Sequence, residues 1–200
     1  MTRTLSLQNR QRVRRVDTRL LRRLTLHVLE QELKIDSFEL AIHLVGMKEM
    51  ARVNWDFLQH EGSTDVITFD HSDVGARPSS GAEMFEPSLI KKLARPPVKS
   101  AFLRPGRPHS GAPDSLNGEL FICVDDAVKQ AREFRTTWQS ELARYVIHGL
   151  LHLCGHDDLS PEPRRRMKRE ENRLLKLAAK EFSLSKLARA GQSQIANLKS

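Results

Sequence analysis

Residues 148–158 read His-Gly-Leu-Leu-His-Leu-Cys-Gly-His-Asp-Asp, and this stretch determines which fold and chemistry the chain supports. On an α-helix, His148 and His152 are four residues apart, so both imidazoles lie on one face and reach a single metal ion. Gly155 favours a left-handed conformation that ends the helix and turns the chain back towards that ion. Two helical histidines and a third ligand from the returning chain predict a zinc site with one open position, as catalysis requires.

The third ligand is predicted to be Asp158, with His156 as the alternative. Asp158 lies ten residues beyond His148, which is the spacing at which metzincin proteases place their third ligand. His156 follows the turn glycine directly, but histidine is the commoner zinc ligand, so a tighter turn that brings His156 to the metal stays open. With a carboxylate ligand the ion keeps less net positive charge, and its bound water is expected to be less acidic than in a three-histidine site.

Gly149 argues against the protease chemistry that this spacing otherwise suggests. Metalloproteases carry a glutamate directly after the first histidine, where it acts as the general base, and here that position is glycine. Cleavage of a phosphodiester depends less on that glutamate, because water on zinc ionises near neutral pH and the metal stabilises charge on a phosphoryl oxygen. The expected catalytic group is therefore zinc-bound water, with His156 and Asp157 as candidate assisting groups.

With Leu151, Leu153 and Gly155 in place, residues 148–158 resemble the YbeY family of bacterial endoribonucleases, the ribosomal RNA maturation factors. The family motif reads roughly H-G-x-L-H-L-x-G-aromatic-D-H. This sequence departs from it at position 156, where histidine replaces the aromatic residue, and at position 158, where aspartate replaces the third histidine.

Two further segments resemble the same family. Residues 53–69 match a block that joins a helix end to a T-D-V-L-S-F strand, with Leu58 in place of the family arginine. Residues 118–123 match a G-D-I strand block, with Glu119 in place of the aspartate.

The resemblance implies a zinc-dependent endoribonuclease, with one Zn²⁺ per chain, that cleaves single-stranded RNA. It further implies a role in ribosomal RNA maturation and ribosome quality control, with ribosomal RNA and the ribosome as partners. The alternative is a ribosome assembly or binding factor whose zinc is mainly structural, which Leu58 and the basic terminal segments favour. A metalloprotease is the least favoured function.

Composition and charge agree with a basic protein that has no membrane segment. The chain has 200 residues and a formal net charge of +8, which suits one domain and a polyanionic partner. It has no apolar run long enough to span a bilayer and no apolar core of a signal peptide, so a cytoplasmic location is expected. Cys123 and Cys154 are expected to be small buried side chains without a disulfide.

The predicted fold class is α+β, a single domain with a mixed sheet of about four strands, packed helices and a central metal-binding helix. Asp17 and Asp125 are predicted helix caps, and His43 is predicted to be structural. Alternating and helical hydrophobic periodicities place strands at 3–8, 38–45, 64–69 and 118–124, and helices at 17–32, 48–57, 127–133, 136–152 and 162–182.

Two segments are predicted to stand apart from this domain. Residues 71–117 hold seven of the nine prolines, so we expect a flexible insertion, with a short helix near Pro87, that interrupts a nuclease domain at 1–160. Residues 161–200 are expected to form a basic C-terminal helix and, from Ser183 onward, a loose tail or a weak extra helix.

Overall fold

The structure is a computed structural model that describes residues 2–72 and 115–189. A π-helical turn, Val28–Glu32, extends the first helix, and a 3-10 helix, Leu184–Leu187, follows the last one. The strands and α-helices run in the order β1 (Arg3–Asn9), α1 (Thr18–His27), β2 (Ser37–Val45), α2 (Met47–Leu58), β3 (Val66–Asp70), β4 (Ser115–Cys123), α3 (Val124–Glu133), α4 (Trp138–Leu153) and α5 (Pro161–Glu181).

The four strands form one mixed sheet in the order β1-β2-β4-β3. β1, β2 and β4 are parallel, and β3 pairs with β4 in the antiparallel direction. The carboxyl ends of the three parallel strands therefore meet at one edge of the sheet. The predicted α+β class, with a single mixed four-stranded sheet, is confirmed.

α4 lies at the centre of the main core, on one face of the sheet. α1, α3 and α5 surround it, while α2 covers part of the opposite face through Met50 and Val53. The alternation in β2 and β4 supplies the main core from one face of each strand. Fully buried residues of this core include Leu21, Leu24, Ile42, Leu120, Leu142, Val146 and Leu150.

Two glycines allow α4 to approach β4 closely. A Cβ atom at Gly149 would lie 2.7 Å from Cδ2 of Leu120, and one at Gly118 would lie 2.7 Å from Cδ2 of Leu153. The same Cβ at Gly118 would also lie 2.5 Å from the main-chain oxygen of Phe69. All three distances are shorter than atoms in a packed interior tolerate. The two glycines therefore set the distance between helix and sheet.

The two predicted helix caps have different outcomes. The carboxylate of Asp17 accepts the N–H of Leu20 at 2.9 Å, so this cap is confirmed. The prediction that Asp125 caps α3 is wrong, because α3 begins at Val124 and Asp125 lies in its first turn. Asp125 Oδ2 instead accepts the N–H of Met47 at 2.8 Å. Asp125 thereby accepts a free N–H at the start of α2, because Gly46 at the N-cap position has no side chain that could do so.

Both segments predicted to stand apart are partly within the described residues. β4 begins at Ser115, so residues 115–117 of the expected insertion are strand, while 73–114, including the helix expected near Pro87, lie outside the described residues. The extra helix after α5 is short and packed, not loose. Leu187 is fully buried, and its main-chain oxygen accepts the N–H of Asp17 at 2.8 Å. Residues 190–200 again lie outside the described residues.

The described part of the chain contains no helix with both the length and the apolar character needed to cross a bilayer. Both cysteines are free, Cys123 buried and Cys154 half-buried. Burial raises the pKa of each thiol to about 12, so both stay protonated near neutral pH. The predicted burial of Cys123 is therefore observed, whereas Cys154 is only partly buried.

His43 lies on the sheet face opposite α4 and is only 7% exposed. A guanidinium N–H of Arg10 donates to its Nδ1 at 2.6 Å, and its ring stacks on Phe121 with centroids 4.6 Å apart. Burial, and secondly the charge of Arg10, lower its pKa to about 4. His43 is therefore neutral in the folded protein at neutral pH.

We expect His43 to make the fold sensitive to mild acid. Because the pKa is lower in the folded state, the unfolded chain binds more protons below about pH 6.5, and stability is lost from there down towards pH 4. Between about pH 7 and pH 5 the free energy of unfolding should fall by roughly 1–2 kcal/mol through this residue. Urea titrations of the wild type and of His43→Gln, whose amide still accepts from Arg10, measure the difference. Identical pH slopes for the two proteins would refute the assignment.

Candidate metal centre

α4, which carries the two histidines, presents two different faces. Thr137 caps it, accepting the N–H of Ser140 at 3.2 Å through its side chain. Leu142, Val146 and Leu150 are fully buried. His148 and His152 are half-buried, so α4 holds them at the surface of the core on a rigid element.

The end of α4 has the geometry of a glycine-terminated helix. Gly155 has φ of +83°, its N–H donates to the oxygen of His152 at 2.9 Å, and the N–H of His156 donates to the oxygen of Leu151 at 2.9 Å. This pair of bonds is the Schellman motif, in which a left-handed residue closes the last turn and reverses the chain. The turn predicted at Gly155 is therefore observed, and it returns residues 156–158 to the histidine face.

His148, His152 and Asp158 come together after this turn. The two Nε2 atoms are 3.1 Å apart, and Asp158 Oδ1 lies 4.0 Å from Nε2 of His152. One ligand atom from each residue lies within 4.8 Å of the other two. Within residues 2–72 and 115–189 this is the one group of three such side chains so arranged. Their side chains are 24%, 28% and 38% exposed, so the group opens to solvent.

The hydrogen bonds at Nδ1 show that each of the two histidines carries a proton on that atom. Nδ1 of His148 lies 3.0 Å from Oε2 of Glu171, and Nδ1 of His152 lies 3.1 Å from the main-chain oxygen of His156. A carboxylate and a carbonyl only accept hydrogen bonds, so each histidine must carry its proton on Nδ1. When both rings are neutral, as metal binding requires, the two Nε2 lone pairs face each other across 3.1 Å, an arrangement that a cation between them would stabilise.

The distances match the geometry of a zinc ligand set. A tetrahedral ion with bonds of about 2.0–2.1 Å to nitrogen separates two ligand atoms by roughly 3.3 Å, close to the 3.1 Å between the Nε2 atoms. Burial and the neighbouring His148 lower the pKa of His152, which keeps that imidazole in the neutral form that binds metals.

The structure separates the two candidate third ligands. Asp158 belongs to the group with His148 and His152, whereas the imidazole of His156 does not. His156 contributes its main-chain oxygen to His152, and Asp157 accepts the N–H of Leu159 at 2.9 Å through its carboxylate. Coordination by Asp158, and the assisting roles assigned to the other two side chains, stay predictions.

Glu171 of α5 is a functional candidate that the sequence analysis missed. It is only 4% exposed, and while Oε2 meets His148, the guanidinium of Arg144 donates to Oε1. Burial alone would raise the pKa of Glu171, but hydrogen bonds from His148 and Arg144 outweigh that effect and lower it. Glu171 is thus an ionised carboxylate that holds the ring of His148 in place. The signal was available, since an acidic residue stands in the otherwise apolar buried stripe of α5.

Glu171→Gln is expected to weaken metal binding by about 10–100-fold, because carboxylates that orient a metal-bound histidine contribute on that scale. The matched control is Glu170→Gln on the same helix, where the native carboxylate pairs with Arg173 at 2.7 Å and does not hydrogen-bond His148 or His152. Competition with a chromophoric chelator measures both affinities. Equal affinities for the two variants would show that Glu171 does not orient His148.

The two family departures in the strand blocks lie away from this centre. Leu58 ends α2 and packs against the small core between α2 and the sheet. Glu119 lies on the sheet face opposite α4, with Oε2 3.8 Å from Nε2 of His43. Neither side chain belongs to the group of His148, His152 and Asp158, so the replacements at these positions leave the geometry of that group intact.

Comparison with known proteins agrees with the sequence and the fold. The model of the family described as Endoribonuclease YbeY matches residues 6–179. A protein named Endoribonuclease YbeY from Salinibacter ruber is 30% identical over 171 residues, which cover 86% of this chain and 89% of the relative. One of the same name from Chlorobium luteolum is 30% identical over 162 residues, 81% of this chain and 89% of the relative.

A solved structure supports the fold. The solution structure of a Thermotoga maritima protein superimposes with a TM-score of 0.53 and 18% identity, covering 96% of this chain and 99% of that one. At this identity the likeness concerns the fold alone, whereas the family model and the relatives together cover most of the sequence. The chain belongs to the YbeY endoribonuclease family.

Proposed function

We propose that this protein is a zinc-dependent endoribonuclease that cleaves single-stranded RNA in ribosomal RNA maturation and ribosome quality control. The observation that supports it best is the convergence of His148 Nε2, His152 Nε2 and a carboxylate oxygen of Asp158 in a member of an endoribonuclease family. Its proposed partners are ribosomal RNA and the ribosome, and its proposed location is the cytoplasm.

The residues of the centre have different roles in holding a metal ion. A bound zinc ion supplies a Lewis acid for phosphoryl oxygens and a water molecule of lowered pKa. His148 and His152 offer neutral Nε2 atoms, and Glu171 and the main chain at residue 156 keep their protons on Nδ1. Asp158 adds a negative charge that offsets part of the charge of the ion.

The first turns of α5 provide a positive approach to this centre. Since Glu171 contacts His148, α5 lies directly beside the metal group. Its amino-terminal half carries exposed basic side chains that attract phosphates to the open side: Arg164, Arg165, Arg166, Lys168 and Arg169. This arrangement favours a polyanionic substrate over a peptide.

Cleavage of a labelled single-stranded RNA by the purified protein, before and after treatment with a chelator, tests the proposal. We expect about one zinc per chain, loss of cleavage on chelation and recovery on adding zinc. The same sequence as DNA and as a base-paired RNA serves as a control for substrate class. RNA binding that survives chelation without any cleavage by the zinc-loaded protein would favour the assembly factor with a structural zinc instead.

A further inference from the structure

A second basic site lies at the carboxyl end of β1, outside the metal centre. An open cavity of about 670 Å³ is formed by the end of that strand, the loop that leads to α1 and the segment after the 3-10 helix. Its lining includes four arginines and two amides: Arg12, Arg14, Arg15, Arg189, Asn9 and Gln11. None of the described residues that line it carries a carboxylate, so the positive charges are not offset by these residues.

The arginines of this cavity differ from those elsewhere in the structure. Arg10 and Arg144 each pair with a glutamate, at 2.7 Å between Arg10 and Glu49 in the first case. By contrast, the guanidinium groups of Arg12, Arg15 and Arg189 form no hydrogen bond or ion pair with any residue in the described ranges. Unpaired guanidinium groups that share one concave surface suit an anionic ligand with oxygen acceptors.

The wall that carries these arginines is fixed by hydrogen bonds. Gln11 is 7% exposed, and its side chain accepts the N–H groups of Val13 and Arg14 at 2.7 and 3.0 Å. The same amide donates to the oxygen of Arg14 at 2.8 Å. The loop therefore has a defined shape despite its exposure, and less ordering entropy is lost when a ligand binds.

The opposite wall is the end of the described chain, which pairs with this loop. The N–H of Arg189 donates to the oxygen of Arg15 at 2.9 Å, and Val16 forms an antiparallel bridge with Ala188. Because Leu187 is fully buried beside it, this contact is anchored in the core. Residues far apart in the sequence thus bring their guanidinium groups to one cavity.

The cavity does not overlap the metal centre. Gly149 of α4 lies against Leu120, which pairs across the sheet with Ile42 and through it with Leu7. Asn9, which lines the cavity, lies on β1, two residues beyond Leu7 towards the carboxyl end of that strand. β1 is two positions away from β4 in the sheet. None of the metal-group residues lines the cavity.

We propose that this cavity binds phosphate groups of the RNA backbone and so holds a substrate at a point remote from the metal centre. The proposal rests on the proposed nuclease function, since it names how that substrate is held. Among the described residues Val16 is the one apolar side chain in the lining and none is aromatic, so the lining favours contacts with the backbone over contacts with bases. Its open shape and the net charge of +8 suit a continuous polyanion.

The test compares two triple variants that lose the same charge. Arg12→Gln/Arg15→Gln/Arg189→Gln removes the unpaired cavity arginines, and the control Lys129→Gln/Arg132→Gln/Arg135→Gln removes three exposed cations at the end of α3. Fluorescence anisotropy with single-stranded DNA measures binding without cleavage, because it has the same backbone charge and is not the substrate. Zinc content and thermal unfolding show whether each variant stays folded.

We expect the cavity variant to bind about tenfold more weakly and its slope of log affinity against log salt to be shallower by about 2, from three lost phosphate contacts. The control variant should change much less. With RNA, the cavity variant should raise KM for a long substrate and leave kcat unchanged, while cleavage of an oligonucleotide too short to reach both sites stays as in the wild type.

Equal binding of nucleic acid by the cavity variant and the control would overturn the proposal. So would a cavity variant that binds phosphatidylserine vesicles more weakly than the control but binds nucleic acid equally well. These experiments also distinguish a failure of the nuclease proposal from a failure of the phosphate-site proposal. If the zinc-loaded wild type cleaves no RNA but the cavity variant still binds nucleic acid more weakly than the control, the nuclease proposal fails and the phosphate site stands. Cleavage of long RNA by the cavity variant with wild-type KM refutes the phosphate site alone.

Discussion

His152→Ala is expected to release the metal and to lower the rate of RNA cleavage by about a thousandfold, since a metal Lewis acid contributes several kcal/mol to the barrier. The reason is geometric. Nε2 of His152 lies 3.1 Å from Nε2 of His148 and 4.0 Å from Oδ1 of Asp158, so it is close to both other groups. Its loss leaves only His148 and Asp158 of the three groups, one ligand fewer than a catalytic zinc site takes from the protein.

Elemental analysis of the purified variant and its cleavage rate measure this effect. His60→Ala is the matched control, because His60 is exposed and belongs to no group of metal-binding side chains within the described chain. His152 is half-buried and packs edge-on to His148, so thermal unfolding without added metal must show that the variant still folds. A His152→Ala protein with a full complement of metal would remove the basis of the proposed centre.

Asp158→Ala is expected to have the second-largest effect, a loss of metal affinity that His156→Ala does not share. The carboxylate of Asp158 is the third group at the site, whereas His156 supports His152 through its main-chain oxygen. Alanine at position 156 keeps that oxygen and therefore keeps the tautomer of His152. Removal of one of three ligands should weaken binding by at least about 100-fold, the upper end for loss of a mere supporting residue.

Zinc titrations of the two variants against the wild type decide between the ligands. Asp158→Asn is a useful third variant, since its amide oxygen has the same shape without the negative charge. Retention of zinc by Asp158→Ala together with its loss from His156→Ala would exchange the roles of the two residues. Such a result would mean that the turn after Gly155 tightens when the metal binds.

The sequence predicted those parts of the structure that local patterns determine. Alternation placed the strands, a spacing of four placed His148 and His152 on one face, and Gly155 marked the turn. All three depend on residues near each other in the chain. The resemblance to a family added the order of the blocks and the expected RNA chemistry, but it assigned no side chain beyond the motif itself.

What the sequence did not reveal depends on contacts between distant segments. Asp125 reaches the start of α2 only because β2 and β4 are neighbours, so their carboxyl ends lie together. Glu171 reaches His148 only once α5 folds back across α4. The cavity arginines likewise meet because the segment at residue 189 pairs with the loop after β1. Neither periodicity nor capping rules carry such information.

The contact between Gly149 and Leu120 also separates this scaffold from the peptidases whose metal spacing it shares. The Cβ direction at position 149 points at a fully buried leucine, where 2.7 Å separates that atom from Cδ2. Glutamate introduced there would force a carboxylate into the apolar layer between helix and sheet, at a cost of several kcal/mol. Conversion to peptide hydrolysis would thus require the whole helix to be re-seated on the sheet. New chemistry on this scaffold is better sought by varying the residues on the solvent-facing side of His148, His152 and Asp158.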